Sequence, residues 1–378
     1  MDFELSDDQR LLVDSIGRML ADNYSFQQRK SFVTAPEGFS TAMWSRYAEQ
    51  GLLGVPFAEE YGGYGGGPQE IMLVMQTFGK HLVLEPYLAT VVLGGGAVRM
   101  FGTDEQKKAI LPAVCEGSLK MAFAHGERQA RYDLTDVMTT AKRDGDGWIL
   151  DGSKTVVQHG DVADKLVVSA RTSGDRHDQD GITVFLVDAT AQGVARRGYP
   201  TRDETRAADI ALDGVRVSAG DVLGEVGKGL AVLQRVIEAD IAATGAEAVG
   251  AMEAMNEMTL EYSKTRVQFG QAIGSFQVVQ HRMVDMFMAA EQGKSMAMLA
   301  TMTLDEEDPG KRAHDMALAK VGIGQNARFV SQSAVQMHGG IGMTEEYAVG
   351  HYFRRCMVIE RLWGDPAYFL QKLADEVE

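Results

Sequence analysis

The spacing of apolar and polar positions changes period twice along this chain. From the N-terminus to about residue 118 the period is helical. Leu11, Leu12, Ile16, Met19 and Leu20 recur at three- and four-residue intervals behind Ser6, Asp7 and Asp8, which predicts a capped amphipathic helix. Trp44, Tyr47, Leu52 and Leu53 continue that period. FGTDEQKKAILP (101–112) predicts a turn and a short helix stopped by Pro112. The glycine-rich YGGYGGG (61–67) follows no strand and lacks a terminal Lys-Ser/Thr, so it predicts a flexible turn rather than a phosphate cradle.

Near Leu119 the period shortens. GWILDGSKTVV, DKLVVSART, GITVFLVDA and DIALDGVRV are β-like runs broken by Asp and Gly. Strands at that spacing predict a small barrel or sandwich of roughly a hundred residues. RTSGDRHDQD (171–180) predicts an exposed hairpin loop. From about Gly227 the helical period returns and persists. Met252, Met255, Met258, Met283, Met286, Met288, Met296, Met298 and Met302 punctuate it, a stripe expected to fill a core. DEEDPG (305–310) is the one obvious loop there. The chain therefore reads as α+β, mostly α: an N-terminal helical domain (1–118), a middle β-barrel or sandwich domain (119–226) and a C-terminal helical bundle (227–378).

Bulk numbers narrow the function. At 378 residues, two or three domains are expected. Apolar content of 45% and charged content of 24% are ordinary for a globular protein. A net charge of −16 opposes binding to nucleic acid and to anionic membranes. Cys115 and Cys356 have no metal-type spacing, so neither a zinc site nor a disulfide framework is expected, and no metal. MDFELSDDQR lacks an apolar signal core and no apolar run is long enough to span a bilayer, so a cytoplasmic protein is expected.

Candidate chemistry concentrates in YSKTRVQFGQAIGSFQVVQHRMVDM (262–286) and in QMHGG (336–340). On a helix, Tyr262, Arg266 and Phe269 share one face. They offer a phenol, a guanidinium fork suited to a diphosphate and a ring suited to a purine. A second helix begins near Phe276, with Gln277 and Gln280 in its first turn. Gln336 precedes Gly339 and Gly340, where backbone can approach a ligand closely. The plainer alternative is a surface arginine and a core phenylalanine of a helical bundle.

Taken whole, this string resembles the acyl-CoA dehydrogenase family, and the resemblance covers nearly the whole chain. It implies that family's fold, with a C-terminal four-helix bundle, and FAD as cofactor. It also implies that Arg266, Phe269, Phe276, Gln277, Gln336, Gly339 and Gly340 grip the adenosine-diphosphate half of a neighbouring subunit's FAD. Within the family the chain is most similar to small, non-catalytic-looking subunits of heteromeric members such as pimeloyl-CoA dehydrogenase, and to the two-subunit enzymes of steroid side-chain breakdown.

The implied reaction is α,β-dehydrogenation of an acyl-CoA thioester, with a carboxylate as base. The family's Glu-Gly pair aligns with Trp363-Gly364, and an indole accepts no proton. Some relatives place the base on the first long helix of the bundle, at a position that matches Asp240 (266 − 26 = 240). Asp240 is one methylene shorter than their Glu and is followed by Ile241 rather than Arg. A solvent- or interface-facing polar residue is the plainer reading of Asp240. Asp365 suits a helix cap. The family's flavin-ring loop aligns with Gly126–Asp133, where Glu127 and Asp133 match but Gly126, Arg128, Arg131 and Tyr132 do not. The family's Trp-Ile-Thr-Asn aligns with Val156, Val157, Gln158 and His159. His159 is a possible base, and a turn residue is the plainer reading.

The half reaching toward a neighbour is thus kept, and the half housing a flavin ring and a base is eroded. Three readings follow. The first is a subunit that completes the FAD site of a homologous catalytic partner in an α2β2 assembly, with an acyl-CoA at the partner's site and electron-transfer flavoprotein as acceptor. The second is a self-sufficient homomeric dehydrogenase using Asp240. The third is a flavin-free structural subunit on the same fold.

Overall fold

A computed structural model describes residues 5–376. In chain order the helices are α1 (Asp7–Asn23), α2 (Phe26–Val33), α3 (Thr41–Glu49), α4 (Pro68–His81), α5 (Gly96–Phe101), α6 (Asp104–Cys115), α7 (Gly229–Thr265), α8 (Gln277–Thr303), α9 (Pro309–His338), α10 (Val349–Arg361) and α11 (Pro366–Asp375). Between α6 and α7 run β1 (Met121–Ala124), β2 (Thr140–Asp144), β3 (Gly147–Gln158), β4 (Lys165–Arg171), β5 (Ile182–Asp188), β6 (Val194–Pro200), β7 (Arg206–Val217) and β8 (Val222–Leu223). A short ribbon, β9 (Val267–Gln268) with β10 (Gln271–Ala272), separates α7 from α8. Two compact units result. The helical unit takes the chain up to Ser31, Pro68–Val83 and Ile241 onward; the β unit takes Phe32–Gly67 and Leu84–Asp240.

In the helical unit every residue from Ile241 to Met252 is buried. That stretch, IAATGAEAVGAM, is built of small residues, so neighbouring helices approach it from all sides. At its crossing with α4 the backbones touch. A Cβ on Gly79 would lie 2.0 Å from the Glu247 carbonyl oxygen, and one on Gly250 would lie 1.9 Å from that of Gln76. The one charge inside the stretch, Glu247, accepts both arms of the Arg355 fork from α10 at 2.6 Å each, which is what a buried carboxylate requires. Met252, Met255 and Met286 fill the surrounding core. Met288 and Met302 are exposed, so the methionine stripe is core only in part.

Helix ends follow local chemistry. Ser6 and Gln9 form a reciprocal capping box on α1. Asp308 caps α9 ahead of Pro309, accepting from the Gly310 and Lys311 amides at 2.8 and 3.0 Å. Asp365 caps α11 through the Tyr368 amide at 2.9 Å, as expected. Among the described residues no helix is long and apolar enough to cross a membrane.

In the β unit the sheet order is β6-β7-β3-β2-β4-β5-β8, with β1 added parallel to β4. β2 and β4 meet only at Thr140–Arg171. The sheet therefore folds on itself there and encloses Leu150, Leu166, Val168, Phe185, Ile210 and Leu212, the barrel-or-sandwich arrangement expected. β4 and β5 are almost uninterrupted apolar runs because both their faces are covered. On β1, the Met121 amide hydrogen-bonds the Thr90 hydroxyl at 3.2 Å, in a single buried π-helical segment, Leu88–Gly95.

Two sequence expectations are corrected here. Pro112 does not stop α6, which runs on to Cys115. Nor is the Tyr61–Gly67 turn loose: the amides of Tyr64, Gly65 and Gly66 donate back to the carbonyls of Gly54, Phe57 and Val55 at 2.7–3.1 Å. Gly63 is required, since a Cβ there would sit 2.1 Å from the Phe57 carbonyl oxygen.

The backbone crossing makes a test of the helical unit. Gly250→Ala should destabilise the protein by about 1–3 kcal/mol or more through overpacking, read as a fall in the urea midpoint. Ala at Gly17, where nothing lies within 4 Å of the new methyl, should leave the midpoint unchanged or raise it slightly.

Candidate functional site

The residues predicted to face a nucleotide all lie in the helical unit. They are not on one helix, as the spacing suggested. α7 ends at Thr265. The chain then turns through a ribbon whose two-residue loop is Phe269-Gly270, both left-handed (φ 52° and 83°), as a tight hairpin requires. This lifts the Phe269 ring to 91% exposure, edge-on to Phe276 at 6.2 Å between centroids. Tyr262 goes elsewhere. It stacks on His338 at 4.5 Å, and Tyr347 lies 5.0 Å from the other partner of that stack. The His338 Nδ1–H donates to the Ala334 carbonyl at 2.8 Å, so this aromatic group ties the end of α7 to the last turn of α9. Burial lowers the His338 pKa, and that hydrogen bond opposes the shift.

Phe269, Phe276 and Gln336 come together at a cavity of about 800 Å³ between the ribbon, α8 and α9. That volume falls within the range for a cofactor or drug-sized ligand. Arg266, Gln277, Gly339 and Gly340 do not line it. Arg266 is exposed just past the end of α7 and Gln277 is exposed in the first turn of α8. Gly339 and Gly340 open the 3₁₀ turn after α9, with nothing within 4 Å of where a Cβ would stand. The sequence reading missed Arg282, Phe329, Gln332 and Ser333, which also line the cavity. Phe329, Gln332, Ser333 and Gln336 stand at i, i+3, i+4 and i+7, a helical face that periodicity alone could have traced back from Gln336. Val278, Val284, Phe287 and Met288 of α8 are also exposed, Val284 and Phe287 on the side of the helix away from the cavity-lining Val279 and Arg282.

The aligned flavin-ring positions Gly126, Tyr132, Val156 and Gln158 lie in the β unit. Arg131, Val156 and His159 all have left-handed backbone (φ 49°, 53° and 50°), which is unusual outside glycine and costly for a β-branched valine. Val156 falls in a register shift of the β3–β7 ladder and is exposed. His159 is a buried turn residue set edge-on to Phe39 at 6.3 Å. Asp240 is 0% exposed, in the first part of α7, which corrects the expectation that it faces solvent. Glu238 pairs with Arg235 at 3.2 Å. In the helical unit, Trp363 follows α10 with φ 60° and is half-buried.

Beneath Gly126 lies a fully buried ion pair. Lys154 donates to Glu127 at 2.7 Å, to the His125 carbonyl at 3.2 Å and to the Ser169 hydroxyl at 3.0 Å. Glu127 also accepts from the Met138 and Thr139 amides at 2.9 and 3.1 Å and from Gln129 at 2.8 Å. The pair thus pins both ends of loop 127–139. Burial alone would raise the Glu127 pKa, but the Lys154 charge and these donors overcome it and hold the carboxyl at about 2. Burial brings Lys154 down to about 8 against the pull of Glu127. Burial, with Lys154 alongside, brings His125 to about 3.

Models of the N-terminal, middle and C-terminal domains of acyl-CoA dehydrogenase match residues 6–118, 122–215 and 227–377. The chain is similar to acyl-CoA dehydrogenase FadE12 of Mycobacterium tuberculosis, 30% identical over 82% of this chain and 81% of that protein. Among solved structures it resembles the ChsE4-ChsE5 complex from Mycobacterium tuberculosis, with a TM-score of 0.88 at 26% identity over 100% of this chain and 99% of that one. It also resembles the FAD complex of PigA, with a TM-score of 0.90 at 25% identity over 100% and 99% of the two chains.

The buried pair predicts an acid limb in stability. Folding lowers the Glu127 pKa from 4.5 to about 2, so the unfolded chain binds the extra proton between those values. The stabilisation is complete above the unfolded value and is lost as pH falls toward the folded one. Circular dichroism melts from pH 6 downward should show it. Lys154→Met leaves the carboxylate buried without its cation, and should lower stability by about 3–5 kcal/mol and move the acid limb to higher pH.

Proposed function

Because this chain belongs to the acyl-CoA dehydrogenase family, oxidoreductases that act on CH–CH bonds with FAD, we propose that it serves as one subunit of a heteromeric member, completing the FAD site of a homologous catalytic partner. The observation that carries this reading is an asymmetry between two sets of residues. The nucleotide-facing set is present, with Phe269 almost wholly exposed beside an 800 Å³ cavity. The ring-facing positions hold Gly126, Tyr132, Val156 and Gln158, and the usual base position holds Trp363. An exposed phenyl ring beside an open cavity has little use on a chain that works alone. The similarity to a complex of two named components, ChsE4 and ChsE5, also supports the reading.

When bound, FAD supplies the acceptor for the hydride leaving the β carbon of the thioester. This chain contributes binding. The Arg266 fork donates to the diphosphate. Phe269 and Phe276 offer faces to the adenine, and the Gln336 amide offers both a donor and an acceptor to its edge. Gln277 stands at the opening turn of α8, and Gly339-Gly340 leaves room for the ribose-phosphate backbone to pass. The Trp363 indole carries no lone pair able to take the α proton, so the base comes from the partner. The assembly is an α2β2 tetramer that passes electrons to electron-transfer flavoprotein, and its substrate is a bulky ring-bearing or dicarboxylic acyl-CoA thioester.

One observation favours a second reading, a homomeric enzyme using Asp240. That carboxyl is wholly buried, and a base for α-proton removal needs a dry setting.

Expression alone and with a homologous partner separates the two. The proposal expects a colourless or weakly yellow chain alone, and one FAD per heterodimer when co-purified. Two FAD per heterodimer would overturn it. In the heteromer, Asp240→Asn should leave turnover intact. In a homomer the same change should cut turnover about a hundredfold or more while the flavin stays bound.

A further inference from the structure

We infer that Arg282 is a nucleotide-binding residue of this cavity, its guanidinium laid over Phe329 so that its edge holds an anionic oxygen of the bound dinucleotide. This rests on the proposed reading and adds a residue that the resemblance did not assign. Arg282 lines the same cavity as Phe269, Phe276 and Gln336, whereas Arg266 does not. Its Cζ lies 5.5 Å from the centre of the Phe329 ring. A guanidinium within cation–π reach of a ring keeps its N–H groups available to a further acceptor.

The counter-charge is what is missing. The chain has 53 acidic against 37 basic residues, and several cations of the helical unit are neutralised by carboxylates. Arg328 pairs with Glu360, Arg354 with Glu345 and Lys311 with Glu306. No carboxylate among the described residues pairs with Arg282. Arg266 and Arg361 also lack a carboxylate partner among the described residues, but neither lines the cavity; Arg282 is an exposed cation that does, together with Phe329, Ser333 and Gln336, and so it matches a phosphate oxygen of the ligand. The neutral faces of Phe269 and Phe276 match the base.

Titration calorimetry with ADP and with adenosine, on the full chain and on R282M and R282K, tests this. R282M should weaken ADP about tenfold or more and leave adenosine and the melting temperature unchanged. R282K keeps the charge but loses the planar stack, so it should fall between. Equal ADP affinity in the wild type and R282M overturns the inference. So does an equal loss for ADP and adenosine, which would make Arg282 a stacking surface only, and so does a wild-type chain that takes no ADP. Counting FAD in the co-purified complex keeps the two ideas apart. Two FAD per heterodimer sinks the shared site and leaves the Arg282 comparison intact. One FAD, held equally well by R282M, sinks Arg282 alone.

Discussion

The helical unit depends on a contact between backbones. Where α4 crosses α7, Gly79 and Gly250 leave no room for even a methyl group, so the axis of α7 is set by main-chain contact rather than by side chains that could repack. The surrounding stretch is buried throughout, and the single carboxylate it carries is answered by Arg355. A helix clamped this way along its middle has a defined exit. Its C-terminal end emerges at Thr265 and delivers the Phe269 ribbon to α8 and α9, and the Tyr262–His338 stack fastens that exit to the neighbouring helix. The placement of the proposed nucleotide-facing surface is inherited from that crossing.

The two units treat charge in opposite ways. The β unit consumes its own donors. Lys154 and Glu127 satisfy each other and the loop ends around them. Arg171 donates to the carbonyls of Val137, Asp180, Thr135, Arg176 and Asp178. The helical unit keeps an exposed ring and a stacked guanidinium in reserve. Unmet bonding capacity marks where something else can bind, and the exposed ring and the Arg282 guanidinium are where the helical unit offers it.

Much of this was legible beforehand. Capping residues such as Ser6, Asp308 and Asp365 act within three or four positions, so a linear reading finds them. The runs at 147–157, 164–172, 181–189 and 209–217 announced their strands because β-branched residues alternate or cluster there. β1, β2 and β6 escaped notice. MAFA is too short, and TAKRD and VARRGYP are too polar to stand out. Pro112 was misjudged because an internal proline bends or ends a helix according to its tertiary support. At the site, Tyr262, Arg266 and Phe269 fitted one helical face, but Gly270 permits a hairpin turn that ends the helix first. Phe329 was within reach of the period running back from Gln336, whereas Arg282 was missed because a whole interhelical loop separates it from Phe329 in sequence.

Arg131, Val156 and Trp363 share a left-handed backbone that none of their side chains prefers (φ 49°, 53° and 60°). Each such residue costs about 1–3 kcal/mol relative to relaxed backbone, and the fold carries that burden without visible local reward. One consequence is that a different residue placed at 363 starts from a Cα–Cβ direction already established by the turn into Gly364, so exchanging that one side chain needs no loop to be rebuilt.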